Sequence, residues 1–475
     1  MRTIGLLIFL LVIAQFTKAE EAYKIKVKIK GLKEKDTLLL GHHFADKMYA
    51  DDTAFVDKNG WAQFTGNKKL DGGIYVVIIP SLKRRYFEFL MDETQQITFE
   101  TDTVDLIKNM KTTGSLENKL FFDWQKAMSD LEKQMRPLQE KIKQFKDNKD
   151  SADFYRNKAI EIDNKRKEYW QNIIKNNSSS LLAKILKVLT PIEIPEFNLP
   201  ENTPKRDSLI RLYQYVYHKD HYWDNVDFSD DRLLRTPFIH QKLQDFYKNV
   251  VIMNPDSLIK EATKVIELSR KNKYFFQYVV VYSTNYFETS QIMGMDRIFV
   301  NLAERYYLKG ECWWADTTLI NKIGERVRKL KPNLIGEIAP DLKMEDINGI
   351  WHQLKYIKAD YIILAFFEPS CGHCKKEIPK LYEYYKTVRD SGVVVFAVYT
   401  QHDKEEWQKF IEEKQLTDWI NVWDRYNFTN FRNLYDIYST PVIYILDKNK
   451  KIIAKRIGVE QIEKFIQHHR KNNKL

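Results

Sequence analysis

The sequence predicts a multidomain chain with a small antiparallel β domain, an all-α middle domain and a C-terminal α/β domain. Its 475 residues exceed the size of one ordinary domain. Three observations predict this order of parts. Short alternating segments with glycine-containing turns come first, a glycine-free stretch separates Gly114 from Gly294, and near-continuous apolar runs return after residue 332.

The β domain is predicted over 20–113, as a sandwich or barrel. Residues 23–30 alternate apolar and basic side chains, which is the period of a half-exposed strand. His42 and His43 have no acidic or cysteine partner at a metal-ligand spacing, so an exposed strand end is the simpler interpretation. The other predicted strands cover 37–40, 61–65, 74–79, 86–91 and 96–101.

The all-α domain is predicted over 114–331, where apolar residues recur every three or four positions with charges between them. Four prolines between 191 and 204 predict a loop. His218, His221 and Asp224 could share a helix face as metal ligands, but packing and hydrogen bonding are the simpler interpretation. Predicted helices cover 116–145, 152–174, 181–189, 208–218, 236–251, 257–271, 274–289 and 295–309.

The C-terminal α/β domain is predicted over 332–475. The apolar runs 361–367 and 393–399 are typical of parallel strands buried on both faces. A helix is expected to begin between them at Cys371, which makes a β-α-β unit. A hairpin at 442–446 and 452–457 follows, and the remaining predicted helices cover 404–414, 428–438 and 461–469.

Residues 1–19 have the pattern of a secretory signal peptide. Arg2 precedes the apolar stretch 4–16, and small residues lead to an expected cleavage after Ala19. The stretch is shorter than the ~20 residues that span a bilayer, so an uncleaved membrane anchor is the weaker alternative. We therefore expect an exported, periplasmic protein with no integral membrane segment after cleavage.

Charge and cysteine content exclude several classes of protein. The net charge is +11, but 76 basic and 65 acidic residues are interspersed, and no basic arm or zinc finger indicates nucleic-acid binding. Three cysteines are too few for a disulfide-stapled scaffold. Cys312 stands alone in the sequence and is expected to be a buried structural thiol.

The run Cys371-Gly372-His373-Cys374 carries the clearest chemistry. A thiolate is the nucleophile in disulfide exchange, and the unpaired N–H groups at a helix start stabilise an anion. Cys371 is therefore the predicted attacking thiol, and Cys374 the resolving one. Gly372 permits close approach of a substrate chain, and His373 is expected to lower the pKa of Cys371.

Other uses of this cysteine pair fit less well. A c-type haem needs His directly after the second cysteine, where Lys375 stands instead. A structural zinc needs about four ligands, and the chain has no second cysteine pair. An inert surface disulfide stays open, but a strand leading in and a helix leading out favour redox chemistry. We expect no metal and no cofactor beyond the redox-active cysteine pair.

The C-terminal domain carries a set of short motifs around the cysteine pair: Pro340-Asp341, Phe366-Phe367, Cys371-Gly372-His373-Cys374, Lys375-Lys376-Glu377, Pro379 and Ser439-Thr440-Pro441. With these residues, 334–475 resemble the exported thioredoxin-like thiol–disulfide oxidoreductases of the TlpA/ResA type. The preceding β and helical parts are similar to modules found before such a domain in exported proteins of Bacteroidetes. Those modules have no activity that could be transferred.

The resemblance implies roles for residues outside the cysteine pair. Thr440–Pro441 would be a cis peptide facing the thiols, with the Thr440 backbone binding a substrate chain. Thioredoxin has a buried Asp six positions before its first cysteine, where Ala365 stands here. In this type Glu377 would have a raised pKa and act as acid and base for Cys374; a surface glutamate is the alternative. Glu368 replaces the Thr that a peroxiredoxin needs three positions before its cysteine, which disfavours peroxidase activity.

Two functions follow as expectations. The first is an enzyme that exchanges dithiol and disulfide with protein partners. The simplest form is a reductase whose disulfide is reduced again by an upstream redox protein. The second is a partner-binding scaffold whose thioredoxin-like domain is a docking module. In either case the roughly 330 preceding residues would select a client or form a homo-oligomer through the helical domain.

Overall fold

The computed structural model describes residues 21–473, so the expected signal peptide at 1–19 lies outside the described residues. The chain divides into two compact units, one ending at Val250 and the other beginning at Val251. This division falls inside the predicted all-α region. The predicted domain boundaries themselves stay predictions.

Two four-stranded sheets open the first unit, in the strand orders β4-β1-β7-β8 and β3-β2-β5-β6. Their inner faces share one core that includes Val27, Phe64, Val77 and Phe87, as a sandwich requires. The β-rich start is confirmed, but one pair, β1 with β7, is parallel. The strands are β1 Tyr23–Lys30, β2 Thr37–Phe44, β3 Lys47–Phe55, β4 Trp61–Gly66, β5 Gly73–Ile79, β6 Arg85–Met91, β7 Gln96–Asp102 and β8 Lys111–Thr113.

Strand β3 was not among the predicted strands, and its burial explains why. It lies at a sheet edge, and seven of its nine residues are exposed. No alternation of apolar and polar residues therefore marks it. The two histidines of β2 pair with carboxylates, His42 with Asp51 at 2.8 Å and His43 with Glu88 at 2.9 Å.

Helices complete the first unit, with α1 and α2 packed along each other. Side chains of Ser115, Asn148 and Ser180 accept hydrogen bonds from the first turns of α1, α2 and α3, as N-caps do. His221 pairs with Asp224 at 2.6 Å and stacks on Tyr217, which is the packing role expected for it. The helices are α1 Leu116–Gln144, α2 Lys149–Asn176, α3 Leu181–Leu189, α4 Arg206–His221 and α5 Phe238–Asp245, which continues as a π-turn over Phe246–Val250.

A buried asparagine joins α1 to the β sheets. The Asn118 side chain is fully buried, accepts a hydrogen bond from the Leu90 N–H at 2.8 Å and donates one to the Leu90 carbonyl at 2.6 Å. Both backbone groups of a β6 residue are thus paired by one helix side chain.

The second unit begins with four helices. The helix over Thr317–Leu330 was not predicted; Asp316 caps it, and only three of its residues are buried. Cys312 is buried as expected, and burial together with the Glu311 charge raises the pKa of its thiol to about 12. The helices are α6 Pro255–Ser269, α7 Lys273–Glu288, α8 Asp296–Leu302, continued by a π-turn over Ala303–Tyr307, and α9 Thr317–Leu330.

A seven-stranded sheet follows in the order β10-β9-β13-β12-β11-β14-β15. Strands β11, β12 and β13 are parallel, and β14 pairs antiparallel with β11. Every residue of β11 is buried, because helices cover both faces of the sheet. The strands are β9 Lys343–Glu345, β10 Trp351–Gln353, β11 Tyr361–Phe367, β12 Val393–Tyr399, β13 Ile420–Trp423, β14 Val442–Asp447 and β15 Ile452–Lys455; the helices are α10 Gly372–Val388, α11 Lys404–Glu413, α12 Phe431–Leu434 and α13 Val459–Asn473.

The prediction of one helix over 428–438 was wrong in extent. Only α12 forms there, because Asn430 and Asp436 adopt left-handed backbone conformations with φ of 52° and 51°. Strands β9, β10 and β13 were missed because segments of three or four residues carry too little periodicity.

Candidate functional site

The cysteine pair lies at the carboxyl end of the central strand β11. A three-residue loop, Glu368 to Ser370, connects this strand to α10, and Cys371 is the N-cap residue with extended backbone angles. The first turn of a helix leaves N–H groups without carbonyl partners. Cys371 therefore lies where these groups meet a side-chain anion, as the sequence predicts.

Cys371 is partly exposed, and its thiol donates a hydrogen bond to the Thr440 carbonyl at 3.3 Å. Partial burial acts to raise the pKa of this thiol. Hydrogen bonds from the Cys374 backbone, the side chains of Thr440 and Cys374 and the His373 backbone outweigh burial, so the pKa lies below its usual value. The lowered pKa increases the thiolate fraction at neutral pH.

Cys374 lies in an environment opposite to that of Cys371. Its side chain is fully buried in the core between the sheet and α10. Burial, with smaller contributions from the neighbouring Cys371, raises the pKa of the Cys374 thiol to about 12. One thiol of the pair is thus accessible and readily ionised, while the other is enclosed and protonated. All three cysteines of the described chain are free thiols.

The two residues between the cysteines face outward. Gly372 and His373 are both exposed, and a Cβ added at Gly372 would meet no heavy atom within 4 Å. No contact inside the molecule requires glycine at this position. The open space leaves room for an approaching partner chain beside Cys371.

Thr440 lies directly against Cys371. The Thr440–Pro441 peptide bond is cis, as the resemblance implied. The Thr440 hydroxyl donates to the Glu368 carboxylate at 3.0 Å, and the Gln401 amide donates to the other oxygen of that carboxylate. The sequence predicted that Thr440 lies at the site but assigned no role there to Glu368. The sequence feature that could have indicated Glu368 is its position three residues before Cys371, next to Pro369.

Glu377 lies further along α10, and its carboxylate pairs with Lys380 Nζ at 2.7 Å. Its side chain is 25% exposed, intermediate between a core and a surface position. A partly enclosed carboxylate one turn beyond Cys374 is compatible with proton transfer. The expected role of Glu377 stays a prediction.

Residues 21–473 contain no group of three or more His, Cys, Asp or Glu side chains arranged to hold a metal ion. No helix in that part of the chain has the length and apolar character needed to cross a membrane.

Comparison with known proteins identifies the fold around this site. Residues 335–455 match the AhpC/TSA family. The chain is 31% identical over 136 residues to the thiol-disulfide oxidoreductase ResA of Geobacillus kaustophilus, an alignment covering 28% of this chain and 76% of that protein. This chain belongs to the thioredoxin-like thiol–disulfide oxidoreductases of the ResA type. It is therefore an enzyme of dithiol–disulfide exchange, and its clients are protein thiols.

Other relatives match this oxidoreductase over different lengths. A domain of a thiol-disulfide isomerase candidate from Cytophaga hutchinsonii is 46% identical, covers 30% of this chain and 96% of its own, and has a TM-score of 0.29. A thioredoxin-like protein from Bacteroides caccae is 21% identical, covers 59% of this chain and 99% of its own, and has a TM-score of 0.46. Residues 23–121 and 161–329 match two domains of unknown function, DUF4369 and DUF5106.

Proposed function

We propose that this chain is an exported thiol–disulfide reductase that acts on protein disulfides through Cys371 and Cys374. The observation that carries the proposal is the asymmetry of the two thiols. Cys371 is partly exposed at a helix start with a lowered pKa, whereas Cys374 is buried with a pKa of about 12. This division of properties suits an attacking thiol and a resolving thiol.

The reaction would proceed in two exchanges. The Cys371 thiolate attacks one sulfur of a client disulfide; the client S–S bond breaks, and the leaving client thiolate takes up a proton. Cys374 then loses its proton and attacks Cys371 Sγ, which breaks the mixed disulfide and releases the second client thiolate. Two electrons and two protons pass from the enzyme to the client. A dithiol on an upstream redox protein restores the reduced enzyme by the reverse exchange, without another cofactor.

The second exchange requires a base, because a thiol with a pKa of about 12 is rarely ionised at neutral pH. Glu377 is our candidate for that base, reaching Cys374 directly or through water. Glu377→Gln should slow release of the client from the mixed disulfide and leave the first attack unchanged. The matched control is Glu383→Gln, an exposed carboxylate on the same helix that pairs with Lys386. Equal release rates for the two variants would remove Glu377 from the mechanism.

Client binding would use the backbone beside the thiols. Thr440 precedes strand β14, and its carbonyl already accepts a hydrogen bond from Cys371. An extended client segment could pair there as an added strand, while Pro441 shapes the contact surface. Gly372 and His373 would form the opposite side of the contact.

The direction of electron flow follows from the stability of the reduced pair. Strong oxidants of this fold owe their potential to a stabilised reduced form. The lowered pKa of Cys371 acts toward an oxidant, whereas Cys374, with a pKa of about 12, adds no thiolate stabilisation at neutral pH. We propose the reductase direction on the second of these contributions. A reduction potential near about −270 mV for the Cys371–Cys374 pair would support this, and one between about −120 and −180 mV would instead indicate an oxidant or isomerase.

An exchange assay on the full-length protein tests the enzyme against the scaffold alternative. Cys371→Ser should abolish reduction of protein disulfides, and Cys374→Ser should accumulate a mixed disulfide with the client. A wild-type protein inactive on every client tested, with partner binding retained by the double cysteine variant, would favour the scaffold. Export is tested separately by the mass of the protein recovered from cells, which should lack residues 1–19.

A further inference from the structure

The segment 435–440 leads from α12 to the contact with Cys371. It contains neither helix nor strand, and Asp436 within it has a left-handed backbone with φ of 51°. The segment ends at Thr440, whose carbonyl accepts a hydrogen bond from Cys371 Sγ at 3.3 Å. Because the segment has no ladder of its own, its position depends on the side chains that bind it.

Asp436 is the point at which the segment is held. Its side chain is only 6% exposed, and each carboxylate oxygen accepts a hydrogen bond from a different arginine, Arg326 at 2.7 Å and Arg456 at 2.9 Å. Arg456 also donates to the Asp436 carbonyl at 2.7 Å. Hydrogen bonds between charged groups are the strong ones, and here they fix both the side chain and the backbone of one residue.

Arg456 extends this network toward Thr440. It donates a hydrogen bond to the Tyr438 hydroxyl at 2.9 Å, and its guanidinium lies 4.5 Å from the centre of the Tyr438 ring. Tyr438 is two residues before Thr440. The contacts that begin at Asp436 therefore end beside the backbone that meets Cys371.

Arg326 brings a different part of the chain to this network. It lies on α9, ahead of the residues 335–455 that match the AhpC/TSA family, and it also pairs with Glu288 of α7 at 3.8 Å. A second residue from the same side, Asn333, donates its side-chain amide to the Leu434 carbonyl at 2.9 Å, directly before the segment. The helical part of the second unit thus contacts the segment and the residue that precedes it.

We propose that Arg326 is a positioning residue for client binding: from α9 it holds Asp436, and through Asp436 it keeps the Thr440 backbone in place for a client segment. The inference deepens the proposed function and rests on it for the place where the client binds. Arg326 touches neither the thiols nor the client. The helices before the thioredoxin-like domain thereby set how well ordered the client-binding backbone is.

The test compares binding of a protein client with thiol reactivity in the full-length protein. Arg326→Met removes the guanidinium but keeps an unbranched side chain on α9. With insulin as the disulfide substrate and dithiothreitol as the reductant, KM should rise about threefold or more while kcat changes by less than about twofold, because a less ordered segment binds the client more weakly. The rate of Cys371 alkylation by iodoacetamide should change by less than about twofold, since this reagent does not pair with the Thr440 backbone.

The selective change in KM separates positioning from a general loss of structure, which would alter kcat and alkylation as well. An unchanged KM in Arg326→Met would overturn the proposal, and so would an equally large change in the alkylation rate. The matched control is Arg328→Met, which removes the same charge from an exposed position on α9 and should leave KM in place. Equal increases in KM for the two variants would show that net charge, and not the contact with Asp436, is the cause.

A second variant reaches the same contact from its other side. Asp436→Ala should raise KM for insulin at least as much as Arg326→Met does. Adding Arg326→Met to Asp436→Ala should then raise KM by less than about a third of its effect in the wild-type protein. Independent effects of the two changes would contradict the proposal.

Hydrogen exchange adds a measurement that needs no client. The Ile437 N–H donates to the Arg432 carbonyl at 2.8 Å, and its exchange should be about threefold faster or more in Arg326→Met but unchanged in Arg328→Met. An unchanged rate in Arg326→Met would count against the proposal. A protein that reduces no protein disulfide would refute the proposed function, while the exchange rate would still decide whether Arg326 holds the segment.

Discussion

The difference in burial between the two active-site thiols predicts a large difference in their reactivity. The pKa of Cys374 is raised to about 12 from an ordinary value near 9.0. At pH 7 its thiolate fraction is about one in 10⁵, against about one in 10² for an unperturbed thiol, which is a thousandfold loss. Cys371 moves in the opposite direction, with a lowered pKa. A more basic thiolate is intrinsically more nucleophilic, with a Brønsted slope of about 0.4–0.5, which offsets part of this ratio. Alkylation at neutral pH should therefore modify Cys371 at least about thirtyfold faster than Cys374.

Single-thiol variants make this measurement direct. Cys312→Ala removes the third thiol, which is also buried with a pKa of about 12. Added to that change, Cys374→Ser leaves Cys371 alone, and Cys371→Ser leaves Cys374 alone. The midpoint of the rate profile for Cys371 should lie below pH 9, while the rate for Cys374 should keep rising about tenfold per pH unit. Comparable rates at pH 7, or a plateau for Cys374 below pH 9, would refute the assignment of attacking and resolving thiols.

Three further predictions concern the supports of the site and of the fold. The Asp436 carboxylate accepts hydrogen bonds from Arg326 of α9 at 2.7 Å and from Arg456 at 2.9 Å, and its side chain is only 6% exposed. Asp436→Asn should therefore lower the free energy of unfolding, measured by urea titration, by about 2 kcal/mol. The control is Glu325→Gln, which changes an exposed carboxylate on α9 and should alter the free energy of unfolding little. Arg456 also donates a hydrogen bond to the Tyr438 hydroxyl at 2.9 Å, two residues before Thr440. Arg456→Met should therefore lower kcat/KM for disulfide reduction severalfold. An unchanged kcat/KM would mean that residues 438–440 keep their position without Arg456. Asn118→Leu leaves the buried N–H and carbonyl of Leu90 without their hydrogen-bond partners. Hydrogen exchange at the Leu90 amide should then be about tenfold faster or more. An unchanged exchange rate at Leu90 would show that another group replaces Asn118.

The fold was predictable wherever one periodicity extended over enough residues. Strands β11 and β12 were predicted to the residue, because each is an uninterrupted run of seven aliphatic or aromatic residues, all of them buried except the half-buried Val394. The edge strand β3 was not predicted, since exposed residues on both faces leave no pattern. Local sequence patterns also do not show which strands pair. Strands β1 and β7 are parallel neighbours although 65 residues separate the end of β1 from the start of β7.

The site shows the same division between local and long-range information. The sequence by itself indicated Cys371 as the candidate attacking thiol, because a cysteine followed by a helix pattern meets unpaired N–H groups whatever else surrounds it. It also predicted redox chemistry for the pair. The place of Cys371 at the helix start also predicted that it is the more exposed thiol. Only the tertiary structure decided that Cys374 is completely enclosed, since burial depends on helices packed from distant parts of the chain.

Glu368 is the clearest residue that only the tertiary structure explains. In the sequence it is a loop glutamate beside a proline, with no partner at a local spacing. In the fold it bonds Thr440, 72 positions away, and Gln401, 33 positions away. These contacts exist because adjacent strands of the sheet bring the ends of β11 and β12 and the start of β14 to one edge. Sequence spacing records local geometry, whereas the pairing of strands decides which loops meet.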